Sequence, residues 1–132
     1  MILALRTDKP EAELYLLDEN AKLIDEVEWQ GHRELSNTLL NQIENLLSMN
    51  NLSLNSLTGL VVYRGPGSFT GLRIGISVAN TMAYSLGIAL AGSTGDDWVA
   101  SGYKELKNTK FDLGRIVKPE YGAEAHITKP RK

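Results

Sequence analysis

The sequence has no cysteine, which excludes disulfides, thiol nucleophiles and thiolate zinc sites together. Histidine is nearly missing as well. His32 and His126 stand far apart without flanking ligand pairs, so no metal site is expected from them. The longest apolar run near the N-terminus, Met1 to Leu5, falls far short of a signal peptide or membrane span, and a cytoplasmic location is the expectation. No internal repeat and no low-complexity block occurs. What is present is globular in composition: 132 residues, 42% hydrophobic and 23% charged, enough for one domain around one core.

The net charge of −2 conceals an asymmetry. Residues 1 to 103 hold six Lys/Arg against twelve Asp/Glu, whereas residues 104 to 132 hold eight against four. An acidic body with a basic tail can touch nucleic acid or an acidic partner through that tail, though a solvated terminus explains the same pattern. The chain therefore divides into a folded domain over residues 1–110 and an extended basic tail over residues 111–132.

Hydrophobic patterning places the elements. Met1–Leu5, Leu14–Leu17 and Leu23–Trp29 read as strands joined by short turns, an antiparallel meander. Ser36 to Met49 is helical, with Leu35, Leu39, Leu40, Ile43, Leu46 and Leu47 inside an arc of roughly 140°. Gly59–Tyr63 is a fourth strand, Leu72 to Leu86 a second helix stopped by Gly87, and Ile88–Ala91 a fifth strand. Strand, helix, strand at this spacing is a βαβ unit with parallel strands. Asp96-Asp97 is placed to cap a third helix toward Lys107, and one more strand is expected at Gly114 to Val117. The fold expected is α/β: a single domain with a mixed five-stranded sheet in the order 3-2-1-4-5 and helices on both faces.

The second helix is apolar over more than half its circumference. Leu72, Ile76, Ala79, Ala83 and Leu86 lie on one side, Ile74, Val78 and Met82 on another, and a row of small residues, Gly71, Gly75 and Ala79, runs between. One side can pack on the sheet. The other needs a second helix, either the first helix of this chain or a helix of a partner. Each mid-helix glycine costs about 1 kcal/mol against alanine, so two of them point to a packing requirement. Gly71, Ile74, Gly75, Val78, Ala79 and Met82 are the expected partner interface.

Gly65-Pro-Gly-Ser-Phe-Thr-Gly71 follows a strand and opens a helix, where backbone amides can receive a phosphate. It is not a P-loop, because the Lys-Ser/Thr pair after the last glycine is missing. Its spacing is one residue too long for the dinucleotide fingerprint, and no acidic residue about 20 positions on can bind ribose. As a weak phosphate-turn set it offers Gly65, Gly67, Ser68 and Thr70. As a plain strand-to-helix turn it has Ser68 or Thr70 as the cap.

As a string, Arg64-Gly-Pro-Gly-Ser-Phe-Thr-Gly-Leu-Arg-Ile-Gly75 closely resembles the signature of the TsaB (YeaZ) family. Met1-Ile-Leu-Ala-Leu-Arg-Thr-Asp8 is similar to the family's opening strand, which ends in Asp-Thr-Ser. Gly31-His-Arg-Glu-Leu35, Ser53-Leu-Asn-Ser-Leu-Thr-Gly59 and Gly87-Ile-Ala-Leu-Ala-Gly-Ser93 resemble its helix entry, its pre-signature loop and its fifth strand. The resemblance spans residues 1 to about 95. It implies the N-terminal half of the actin/Hsp70/sugar-kinase fold, a single actin-like or RNase H-like domain, and the role of a non-catalytic partner subunit. The partners implied are a TsaD-like catalytic subunit and a TsaE-like ATPase, in the transfer of threonylcarbamoyl to a tRNA adenosine beside the anticodon.

Three departures from the family stand out. The chain is about half the usual length, and loss of the second domain is the expectation. Position 6 is Arg where the family has Asp, in the turn where catalytic relatives hold nucleotide phosphate and metal; Asp8, two residues on, can point the same way. Lys118-Pro-Glu-Tyr-Gly122 is similar to the family's last residues, as if a middle segment were deleted. The expectations are therefore an accessory chain without cofactor, metal or catalytic residue, able to form a homodimer, and touching tRNA indirectly or through its tail. A small phosphate-binding enzyme remnant, active only as a dimer through the Gly65–Gly71 turn, is the alternative. A peptidase is disfavoured: cysteine is absent and neither histidine has a serine–carboxylate context.

Overall fold

The computed structural model describes residues 1–112 and 116–120. Five strands, β1 (Ile2–Arg6), β2 (Glu11–Leu17), β3 (Leu23–Gln30), β4 (Gly59–Gly65) and β5 (Ala89–Thr94), form one sheet in the order β3-β2-β1-β4-β5. β1 pairs antiparallel with β2 and parallel with β4, and β4 pairs parallel with β5. The mixed sheet and its order agree with the sequence reading. The helices are α1 (Leu35–Met49), α2 (Phe69–Leu86) and α3 (Trp98–Lys107).

Side-chain alternation along the strands divides the core in two. Leu3, Leu5, Leu14, Leu16, Leu60 and Val62, each at most 1% exposed, face α1 and α2. On the other face, a Cβ at Gly59 would meet Leu106 of α3, and one at Gly102 of α3 would land on Val61. There Trp98 packs edge-on against Tyr15 and Tyr63, with ring centroids 5.9 and 5.8 Å away.

Boundaries differ from the sequence reading where backbone bonding overrides residue type. β2 starts three residues before Leu14, because Glu11, Ala12 and Glu13 pair with Gln30, Trp29 and Glu28. α2 starts at Phe69. Ser68 holds the position before it, but no side-chain cap bond forms there, so neither the expected Ser68 cap nor a Thr70 cap is made. Asp97 likewise precedes α3 without a side-chain bond. Leu40, assigned to the buried arc of α1, is 46% exposed, because the arc's other five residues already fill the sheet contact. Gly87 does end α2, with φ of +67° in the left-handed region that glycine enters at little cost.

Of the expected strand at Gly114 to Val117, residues 114 and 115 lie outside the described residues, and Ile116 and Val117 are not in a strand. Most of the basic tail and His126 also lie outside them. Residues 116–120 dock on the body: Val117 is buried against Gly92 of β5, and its backbone N–H and C=O both bond the Asn80 side chain at 3.0 Å.

Candidate functional site

The signature turn, the end of β1 and the start of α2 meet at one corner. Thr7, the residue after β1, is 2% exposed, and its hydroxyl donates to the Gly71 carbonyl at 2.7 Å. A Cβ at Gly71 would land on the Thr7 carbonyl oxygen, and one at Gly75 on the Thr7 hydroxyl. The two glycines are therefore required by a backbone-to-helix approach inside this chain.

That result corrects the expected interface. The Gly71, Gly75, Ala79 row does not form a free surface: it packs on the end of β1 and the sheet, and Ala79 is fully buried. Met82 is 7% exposed. The row lies inside because Thr7 at the end of β1 covers it, and α1 flanks α2 as well. Of the six expected residues, Ile74 and Val78 are the ones that reach the surface in part, half-buried against the core.

Beside Thr7, Arg6 and Asp8 close on each other. Arg6 Nε donates to Asp8 Oδ1 at 2.7 Å and a terminal guanidinium nitrogen to Oδ2 at 3.3 Å. The guanidinium carbon lies 3.8 Å from the centroid of the Tyr63 ring, a cation–π contact. Burial disfavours the charged Arg6, yet the hydrogen bond and charge of Asp8 with those of Tyr63 and Glu13 prevail and raise its pKa further. The carboxylate that follows β1 is thus engaged by this chain's own cation.

Lys9 extends the network with an ion pair to Glu13 at 2.8 Å, and the Tyr15 hydroxyl donates to the same carboxylate at 2.7 Å. Burial opposes ionisation of Glu13, but these two hydrogen bonds and the charges of Lys9 and Arg6 outweigh it, and its pKa is lowered. Burial and the neighbouring Glu13, Glu26 and Glu28 push the Tyr15 hydroxyl far up.

The phosphate-turn candidates are divided by the structure. Ser68 and Thr70 are exposed and, with Thr7, Asp8, Lys9, Pro10, Arg33, Leu35, Gly71 and Ile74, line a cavity of about 280 Å³. Gly65 and Gly67 are not in that lining: a Cβ at Gly65 would meet the Glu120 carbonyl, and one at Gly67 the Asp8 carboxylate. Sequence reasoning missed Thr7, Tyr63 and Asn80 as positioning groups. Thr7 was visible only as one letter between two charges, and its glycine partners lie 64 and 68 positions away. Among the described residues, no group of three His, Cys, Asp or Glu side chains is placed to hold a metal ion, and no helix is long and apolar enough to cross a membrane.

A family profile described as "TsaD: tRNA N6-adenosine threonylcarbamoyltransferase" matches residues 28–95. The Escherichia coli (strain K12) tRNA threonylcarbamoyladenosine biosynthesis protein TsaB is 37% identical over 60 residues, 46% of this chain and 26% of that protein. The Buchnera aphidicola TsaB is 33% identical over 87 residues, 66% of this chain and 38% of that one. The Geotalea uraniireducens tRNA N6-adenosine threonylcarbamoyltransferase is 37% identical over 70 residues, 53% of this chain and 20% of that enzyme. A solved structure, YeaZ from Pseudomonas aeruginosa, superposes with a TM-score of 0.64 at 28% identity, over 70% of this chain and 43% of that one. The matched segments thus span less than half of each relative, from 20% to 43%.

Proposed function

The chain belongs to the family described by TsaD, tRNA N6-adenosine threonylcarbamoyltransferase, as a TsaB (YeaZ)-like member, and from that premise we propose that it is a non-catalytic partner subunit in tRNA threonylcarbamoyladenosine synthesis. In this reading it engages a TsaD-like catalytic subunit, with a TsaE-like ATPase in the same system. Residues 1–110 are the partner-binding domain, on which residues 116–120 dock through Asn80, and the basic segment 111–132 touches tRNA indirectly or directly, in the cytoplasm.

The observation that carries the non-catalytic reading is the Arg6–Asp8 pair. A guanidinium 2.7 Å from the carboxylate neutralises the one acidic group at the strand end, where a hydrolase needs a free carboxylate for metal or for a proton. A cation there also repels a metal ion. The partner surface is the α1–α2 pair, through its outward apolar residues Leu40, Ile74 and Val78 rather than the buried glycine row.

Two measurements on the full chain test this. With a TsaD-like protein from the same host as titrant, Leu40→Asp and Val78→Asp are expected to weaken association at least about tenfold. Leu40→Asp leaves the urea midpoint nearly unchanged, since Leu40 is already half in water. Unchanged affinity in both variants sinks the partner surface. ATP hydrolysis by the chain alone, lost on Ser68→Ala with Thr70→Val, sinks the non-catalytic reading. It would favour the phosphate-binding alternative, whose supporting observation is the 280 Å³ cavity flanked by Lys9 and Arg33.

A further inference from the structure

β3 is the terminal strand on one side of the sheet, and its ladder is made with β2 alone. Among the described residues, no other backbone hydrogen bond joins residues 23–30 to the rest of the chain. Eight residues of extended backbone, about 27 Å of strand, therefore present a row of donors and acceptors without a backbone partner on the outer side, in which the Glu26 N–H is taken up by the Asp25 carboxylate at 2.8 Å. β3 contains neither Pro nor Lys, and what guards its edge is negative charge, Asp25, Glu26 and Glu28, which repels an acidic strand and attracts a basic one. The irregularity in its pairing falls near Leu23, at the Leu16/Leu17 step, and leaves Asp25 to Gln30 regular. At the same end Leu23 and Ile24 are 46% and 40% exposed.

The charges on this strand are of one sign. Asp25 is held by the Asn50 side chain at 3.0 Å on the helix side of the sheet. Glu26 and Glu28 stand on the opposite face, across from Tyr15 and Glu13, and among the described residues neither carboxylate has a hydrogen-bonded or ion-paired partner. Glu13 is neutralised by Lys9, so Glu28 faces an acid already taken. Like charges directly opposite in a ladder are destabilising.

We propose that the free edge of β3 is a docking site for an extended, basic segment of another protein, which adds as a sixth strand with Lys or Arg at alternate positions. A period of two puts successive cations beside Glu26 and Glu28, while the intervening apolar side chains lie on the opposite face, beside Val27 and Trp29. The backbone ladder supplies affinity and the alternating cations supply selectivity. A second copy of this chain is the wrong occupant: β3 against β3 would gather Asp25, Glu26 and Glu28 from both copies without an intervening cation. Nucleic acid is repelled by the same charge. The surface is separate from the α1–α2 pair and does not depend on the reading given above.

The test uses the full chain and two capped octapeptides of equal charge, one alternating Lys and Val, the other alternating Lys and Pro. Proline removes half of the backbone donors and cannot join a ladder on both sides. Hydrogen exchange is followed by fragment, and affinity by titration in low and high salt. The Lys–Val peptide is expected to slow exchange selectively in residues 23–30, more so at low salt, and the Lys–Pro peptide to leave it unchanged. Glu26→Lys with Glu28→Lys is expected to lower Lys–Val affinity at least about tenfold, since two exposed attractions become two repulsions. The proposal is overturned if residues 23–30 show no protection, if both peptides protect equally, or if charge reversal leaves affinity unchanged. The peptide comparison stands on the unaltered chain, so a folding defect in the double variant cannot blur the result.

Discussion

Alanine is the better helix former, so Gly75→Ala on helix α2 should stabilise the chain by about 1 kcal/mol if propensity alone counted. The structure predicts the opposite sign. The new Cβ would sit on the Thr7 hydroxyl and 3.1 Å from both Thr7 Cβ and Cγ2. Thr7 is β-branched and 2% exposed, so every χ1 rotation that withdraws the hydroxyl brings another substituent toward the helix. Overpacking of this kind costs ~1–3 kcal/mol, and displacement of the hydroxyl from the Gly71 carbonyl adds ~0.5–1.5 kcal/mol. Set against the propensity gain of about 1 kcal/mol, the net is a loss of about 2 kcal/mol. Urea denaturation followed by circular dichroism reads this as a lower midpoint at unchanged slope. A double-mutant cycle locates the cause. With Thr7→Ala the hydroxyl and Cγ2 are gone and only the Cβ contact at 3.1 Å remains. Gly75→Ala should then cost little, with a coupling of at least about 1 kcal/mol. A stabilised Gly75→Ala chain, or additive effects of the two changes, refutes the reasoning and returns the glycine row to the list of candidate interfaces.

Arg6→Ala leaves the Asp8 carboxylate, 6% exposed, without its cation. A fully buried pair broken this way costs ~3–5 kcal/mol, and with Arg6 itself 18% exposed the loss expected in the same urea assay is at the lower end, about 3 kcal/mol. Arg6→Met with Asp8→Asn should recover most of that loss, and equal losses in both variants would show that the pair itself is not the cause. Asn80→Ala removes both bonds that hold Val117, so amide exchange in residues 116–120 is expected to speed up at least about tenfold, one neutral hydrogen bond being worth ~1 kcal/mol. Glu13 titrates below its ordinary value of 4.5 in the folded chain. Its contribution is therefore complete above that value and is lost as pH falls through the lowered folded value. Glu13→Gln should flatten the acid limb of a stability-against-pH curve in that window, and an unaltered limb would contradict the assignment.

Elements with a strong period were legible in the chain. The apolar opening strand, the one-sided α1 and the strand–helix–strand spacing around the glycine turn were enough for the sheet order. Each of these is a local pattern, and the right-handed crossover admits few topologies for them. Glu11, Ala12 and Glu13 were not legible as strand, because only pairing with β3 keeps them extended. Leu40 was read as buried, since periodicity reports which side a residue takes but not how far the neighbouring elements extend to cover it.

What the sequence determined by itself was therefore the fold class, the strand order and the family likeness carried by Arg64 to Gly75. The use of the small row on α2 was decided only in three dimensions. Gly71, Gly75 and Ala79 state that something approaches closely, and spacing cannot say whether the approaching group belongs to this chain or another. Thr7, 68 residues before Gly75, is that group, and its hydroxyl occupies the space a side chain would need. The fate of Asp8 was likewise decided by its surroundings: Tyr63 holds the Arg6 guanidinium from one side and leaves it bonded to the carboxylate, a geometry that no linear pattern encodes.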